Sequence, residues 1–176
     1  DVDAGDNLTL AATTKPSWLS FNAATGVLSG TPDNNDVGNH SVVLKAIDSA
    51  GAVTTQSFTI AVSNLNNVPT VVNAIADQSI AEDASLSFQF ASNTFADLDS
   101  GDSLTYSATL SNNNTLPSWL SFNAGIRTFS GTPLNEDVGT VAVKVTATDA
   151  SNAIIADTFN IVVTNVNDAP AITSSA

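Results

Sequence analysis

The phrase PSWLSF occurs twice, at residues 16–21 and 117–122, and both tryptophans of the chain, Trp18 and Trp119, lie inside it. The echo extends well beyond the phrase. Pro16, Trp18, Phe21, Gly30, Pro32, Val37 and Gly38 return 101 positions later as Pro117, Trp119, Phe122, Gly131, Pro133, Val138 and Gly139. The register then holds through Asp48 and Asp149, Phe58 and Phe159, Ile60 and Ile161, and Pro69 and Pro170. A period of about 100 residues is too long for a solenoid unit and suits an independent domain.

The repeats are out of phase with the chain. DVDAGDNLTL at residue 1 matches DLDSGDSLTY at Asp97, so residues 1–66 form a repeat lacking its first strands, and 67–168 form a complete one. The tail APAITSSA (169–176) repeats the start of the second copy, VPTVVNAI. The expectation is a window from a longer tandem array, with room for a secretion signal upstream.

Within each repeat the hydrophobic pattern has period two. Phe58, Ile60 and Val62 alternate in SFTIAV, as do Phe159, Ile161 and Val163 in TFNIVV; Leu86, Phe88 and Phe90 alternate in SLSFQF, and Val141, Val143, Val145 and Ala147 in VAVKVTA. Such short runs, rich in Val, Ile, Thr and Phe and separated by Gly, Asn, Asp, Pro and Ser clusters, are half-buried strands. No window carries a helical stripe. The fold class expected is all-β, with tandem antiparallel Greek-key sandwiches. One tryptophan per sandwich then reads as a core plug, so Trp18 and Trp119 are expected to be largely buried.

Charge narrows the partners. Four Lys and Arg residues stand against 17 acids, giving a net charge of −13, which excludes nucleic acid and leaves no basis for contact with an anionic membrane. Aspartate supplies 15 of the acids, and glutamate only Glu82 and Glu136. Short carboxylates gathered in loops suit turns or a hard cation such as calcium. There is no cysteine, hence no disulfide, thiolate site or cysteine nucleophile. The single histidine, His40, aligns with Val141, so no histidine-based catalytic or metal site is repeated. Paired carboxylates occur only in loops of a repeated module, which argues against a glycosidase. An enzyme is not expected.

The carboxylates recur in a fixed order: ED at 82–83, DLDSGD at 97–102, the lone Asp149 in ATDAS, and NVNDAP at 165–170. This order, with WLSF, TGVLSGTP and DVG between, resembles the cadherin-like modules of bacterial surface proteins, in particular the dystroglycan-type cadherin-like (CADG) repeat. The resemblance implies seven-stranded sandwiches joined end to end, with calcium bound at their ends. Carried over by position, it implies metal ligands at Glu82, Asp97, Asp99, Asp149, Asn165, Asn167 and Asp168. The matching residues of the first repeat are Asp1, Asp3, Asp48, Asn64, Asn66 and Asn67, and Asp36 and Asp137 fall at a further acidic motif. Asparagine at the first linker position, Asn64 and Asn165, supplies a neutral ligand and lowers affinity.

The function implied is a calcium-binding extracellular spacer or adhesion module of a large bacterial repeat protein. Its partners would be adjacent cadherin-like repeats and its location the bacterial cell surface. Two alternatives stand beside it: a polysaccharide-binding module attached to a polysaccharide-degrading enzyme, and a filament subunit completed by a neighbouring chain's strand through homotypic association.

Overall fold

The computed structural model describes residues 7–99 and 101–170. The expected ligands Asp1 and Asp3 lie outside the described residues. The chain divides into two compact units, residues 1–66 and 67–176.

Unit 1 contains β1 (Thr9–Thr14), β2 (Leu19–Asn22), β3 (Val27–Gly30), β4 (Gly38–Ile47) and β5 (Val53–Val62). They form a three-stranded sheet, β1-β4-β5, and a two-stranded sheet, β2-β3. Unit 2 contains β6 (Thr70–Val71), β7 (Gln78–Ala81), β8 (Leu86–Gln89), β9 (Phe95–Ala96), β10 (Thr105–Leu110), β11 (Leu120–Asn123), β12 (Thr128–Gly131), β13 (Gly139–Thr148) and β14 (Ile154–Thr164). Here a four-stranded sheet, β10-β13-β14-β7, faces a three-stranded one, β11-β12-β8, with a small β6-β9 pair alongside. Seven strands thus make the sandwich, as the period-two pattern and the resemblance require.

The expectation of purely antiparallel pairing needs one correction. β7 runs parallel to β14, pairing Gln78 with Ile161 and Ala81 with Thr164. The chain enters along the same edge and in the same direction in which it leaves, and alternation of side chains is indifferent to that polarity.

The interior of unit 2 is the two inner faces meeting. Phe129 from one sheet and Phe159 and Ile161 from the other are fully buried, ringed by Leu86, Phe90, Phe95, Val143 and Val145. Phe129 lies 5.5 Å from Phe159 and 4.5 Å from Phe122 between ring centroids, in edge-on and tilted geometries that aromatic pairs favour.

The repeated phrase packs inward, as expected. Trp18 and Trp119 are partly exposed, with Trp119 against the core of unit 2, and Leu19 and Leu120, the next residues, are buried more deeply. The reason lies in the hairpin of β11 and β12, where Leu120 faces Gly131. A Cβ on Gly131 would run into the Trp119 carbonyl oxygen and sit 3.2 Å from ring atom Cε3. Gly30 meets the carbonyl of Trp18 in the same way. In both repeats the SGTP glycine lets the tryptophan backbone approach, and in unit 2 the Trp119 ring also lies against Gly131.

Candidate metal centre

The loop between β9 and β10 carries DLDSGD. Asp97 Oδ1 accepts the amide of Asp99 at 2.8 Å, and the Asp102 amide donates to the Asp99 carbonyl at 3.1 Å. These bonds curl the segment, so Asp97 and Asp99 do not project together as an extended D-x-D pair would. Asp97 instead converges with Asp102, and Asp149 joins them from the β13–β14 turn; carboxylate oxygens of the three lie within 4.8 Å of one another. Asp102, quoted in the sequence cluster but left outside the ligand set, is the residue that sequence reasoning missed. Its signal was the aspartate directly after Gly101, the glycine at positive φ that marks a turn in the DLDSGD loop.

Each carboxylate is oriented. Asp149 Oδ1 accepts the amides of Ser151 at 2.9 Å and Ala153 at 2.7 Å. Asp99, buried, accepts the amide of Asn67 at 2.7 Å and so ties the start of unit 2 to this loop. Asp97 Oδ2 is buried and has no hydrogen-bond partner among the described residues. A buried carboxylate oxygen without a donor, on a residue with two further carboxylates close by, is an unfavourable arrangement unless a cation completes it. Three anionic oxygens at this separation fit a hard divalent cation, which takes six to eight oxygen ligands.

The opposite end of unit 2 holds the other expected ligands. β7 and β14 run parallel, so Glu82 follows β7 at the end of β14 remote from Asp149. The 11 residues of β14 put the two ends about 33 Å apart at the usual rise per residue. Glu82 is 2 % exposed, its Oε1 accepts the Val166 amide at 2.5 Å, and its Oε2 is buried without a partner among the described residues. Asn165, Asn167 and Asp168 are exposed in the segment that follows β14. Asp137 lies at this same end, where Pro133 accepts the amide of Asp83 at 2.7 Å, but its Oδ2 accepts the Leu134 amide at 2.9 Å to close a 3-10 turn.

Unit 1 repeats the turn chemistry, while Asp1, Asp3 and Asp6, the counterparts of Asp97, Asp99 and Asp102, lie outside the described residues. Asp48 Oδ1 accepts the Ala52 amide at 2.7 Å, as Asp149 does for Ala153, and Asp36 Oδ2 closes a 3-10 turn on the Asp33 amide at 3.0 Å. Asn64 and Asn66 are exposed at its end, and Asn67 is the first residue of unit 2.

These features define a tandem immunoglobulin-like β-sandwich protein of the cadherin-like kind. The chain belongs to the family described as Putative Ig domain (He_PIG), which matches it over residues 1–63 and 68–164. Over 169 residues, 96 % of the chain, it is 32 % identical to the "Serine-rich adhesin for platelets" of Staphylococcus aureus strain USA300 and to its counterpart in strain MRSA252. The chain spans only 7 % and 11 % of the length of these relatives, respectively. Among solved structures it resembles the first two cadherin repeats of human mucin-like protocadherin, with TM-score 0.65 and 17 % identity, covering 94 % of this chain and 87 % of that one. It also resembles repeats 3–6 of protocadherin gamma B2, with TM-score 0.62 and 17 % identity, covering 92 % and 44 %. At that identity the likeness concerns the fold alone.

Proposed function

We propose that this chain is a non-catalytic, calcium-binding segment of a bacterial surface adhesin, acting as a spacer that calcium stiffens. The observation that carries the reading is the convergence of the Asp97, Asp102 and Asp149 carboxylates, one of which, Asp97, also keeps a buried oxygen with no donor among the described residues. Calcium would be held by these three, with Asp99 fastening Asn67 beside them. A second ion would engage Glu82 Oε2 at the far end, with Asn165, Asn167, Asp168 and Asp137 as further candidate ligands. Bound calcium would neutralise the loops and fix their conformation, so that each end of the sandwich holds one shape. The relatives named as adhesins support a cell-surface setting. No helix among the described residues is long and apolar enough to cross a membrane.

The test is thermal unfolding with calcium and with EDTA. A ligand that binds only the folded state stabilises it by about 2.7 kcal/mol at one hundred times Kd. Unit 2, followed through Trp119 in a Trp18→Phe chain, should melt higher in calcium, and Asp97→Asn should abolish most of the shift. Identical melting in calcium and EDTA would defeat the proposal.

A further inference from the structure

The strand that enters the sandwich of unit 2, β7, and the strand that leaves it, β14, lie side by side. They pair in parallel from Gln78 with Ile161 to Ala81 with Thr164. Beyond both ends of that ladder, carboxylates continue the attachment. Asp157 Oδ2 accepts the amide of Ile75 at 2.6 Å, and Asp77 Oδ1 accepts the amide of Asn160 at 2.7 Å. Asp77 Oδ2 also takes the Asn160 side-chain amide at 3.3 Å. At the other end the Glu82 amide donates to the Thr164 carbonyl at 3.0 Å, and Glu82 Oε1 takes the Val166 amide. Each carboxylate thus joins chain positions 82 to 84 residues apart. The Ile75 side chain belongs to the buried core, which holds the first of these attachments from the apolar side as well.

Polarity decides what such an attachment resists. In a parallel pair, tension on the start of β7 and on the end of β14 slides the strands along one another. Every hydrogen bond between them is then strained at once. Tension applied at neighbouring ends of two strands instead opens the bonds one after another. Bonds to an ionised carboxylate are the shorter and stronger kind, and here they flank the ladder. Upstream, β6 holds to β9 by only two residue pairs, so the load passes to residues 75–82.

We infer that unit 2 carries tension along the chain: residues 75–82 and 157–166 form a shear clamp, which Asp77, Asp157 and Glu82 lengthen beyond the ladder. The inference gives the spacer reading a mechanical task and rests on it for the source of the load. The clamp itself needs no calcium.

The experiment is single-molecule unfolding of the whole chain in EDTA, with handles on introduced cysteines, since the chain has none of its own. Forced unfolding reports the unfolding rate rather than equilibrium stability. Val68→Cys with Asp168→Cys loads the two strands in shear. Ser85→Cys with Asp168→Cys loads the same pair from adjacent ends. The shear arrangement should unfold unit 2 at a force at least about twofold higher, because several bonds must break together rather than singly. Asp77→Ala with Asp157→Ala should lower the shear force by at least about a third. The same double change should leave the peeling force unaltered, because those bonds lie at the end of the pair that opens last. Equal forces in the two geometries, or a double variant that lowers both alike, would overturn the inference. The comparison of geometries keeps the clamp's own side chains, so it decides even where the double variant does not fold. A force difference in EDTA stands even if calcium leaves the melting temperature unchanged, so the two readings fail separately.

Discussion

Residues 19–22 and 120–123 fold the same LSFN into the same strand, against the same SG-bearing partner, yet the two units differ in depth. Phe159 is 1 % exposed and its counterpart Phe58 is 36 % exposed; Ile161 is fully buried and Ile60 only half. Five strands are common to both units. What unit 2 adds is β7 and β8, one on each sheet, together with the β6-β9 pair. A sandwich core is made by two sheets closing on one another, so losing an edge from each exposes the middle as well as the margin. The lesson is that the shared strands set the architecture, while β6–β9 make the interior.

The largest effect that would break this comparison is in the core. Phe129→Ala should cost about 3–5 kcal/mol, the range for large aromatic truncations. Leu28→Ala, at the matching site, should cost under about 2 kcal/mol, because half of that side chain's transfer from water has not occurred. Denaturant unfolding followed by Trp119 in one case and Trp18 in the other measures the two separately, and equal losses would remove the distinction. A middle effect should be shared by both units. Gly131→Ala and Gly30→Ala each drive a methyl group into a tryptophan carbonyl, and each should cost about 1–3 kcal/mol as overpacking. The smallest sharpens a backbone difference. Arg127 sits at φ 54°, where unit 1 has Gly26 at φ 70°. Arg127→Gly should therefore raise the stability of unit 2 by about 0.5–1 kcal/mol, since a left-handed backbone costs a side-chain-bearing residue about that much or more. A thermal scan showing a loss would mean that the arginine side chain contributes more than its backbone costs.

Much of this was legible in the residues. The alternation in SLSFQF and TFNIVV located β8 and β14 and chose the inward residues correctly, because a period of two leaves no freedom over which side chains share a face. The parallel entry of β7 was not legible, since alternation carries no polarity. The inward packing of Trp18 and Trp119 was legible from side-chain size, while the close approach of Gly30 and Gly131 to the tryptophan carbonyls was not, since it depends on how the hairpin strands meet. The aspartates were found by type, while their grouping depended on how the loop turns. Hydrogen bonds from the amides of Asp99 and Asn67 set Asp99 apart and left Asp97 to meet Asp102.

Calcium at the Asp97, Asp102 and Asp149 cluster is what the proposed function requires. Titration calorimetry of the whole chain, first stripped with EDTA, tests this directly. Weak to moderate affinity is expected, toward the roughly 10⁻⁴–10⁻³ M range of extracellular modules. Asp149→Asn should reduce calcium affinity at least about tenfold, because it removes one anionic ligand and keeps the turn-closing oxygen. Calcium heats that are absent in the parent chain, or identical in the parent and Asp149→Asn, would contradict the account.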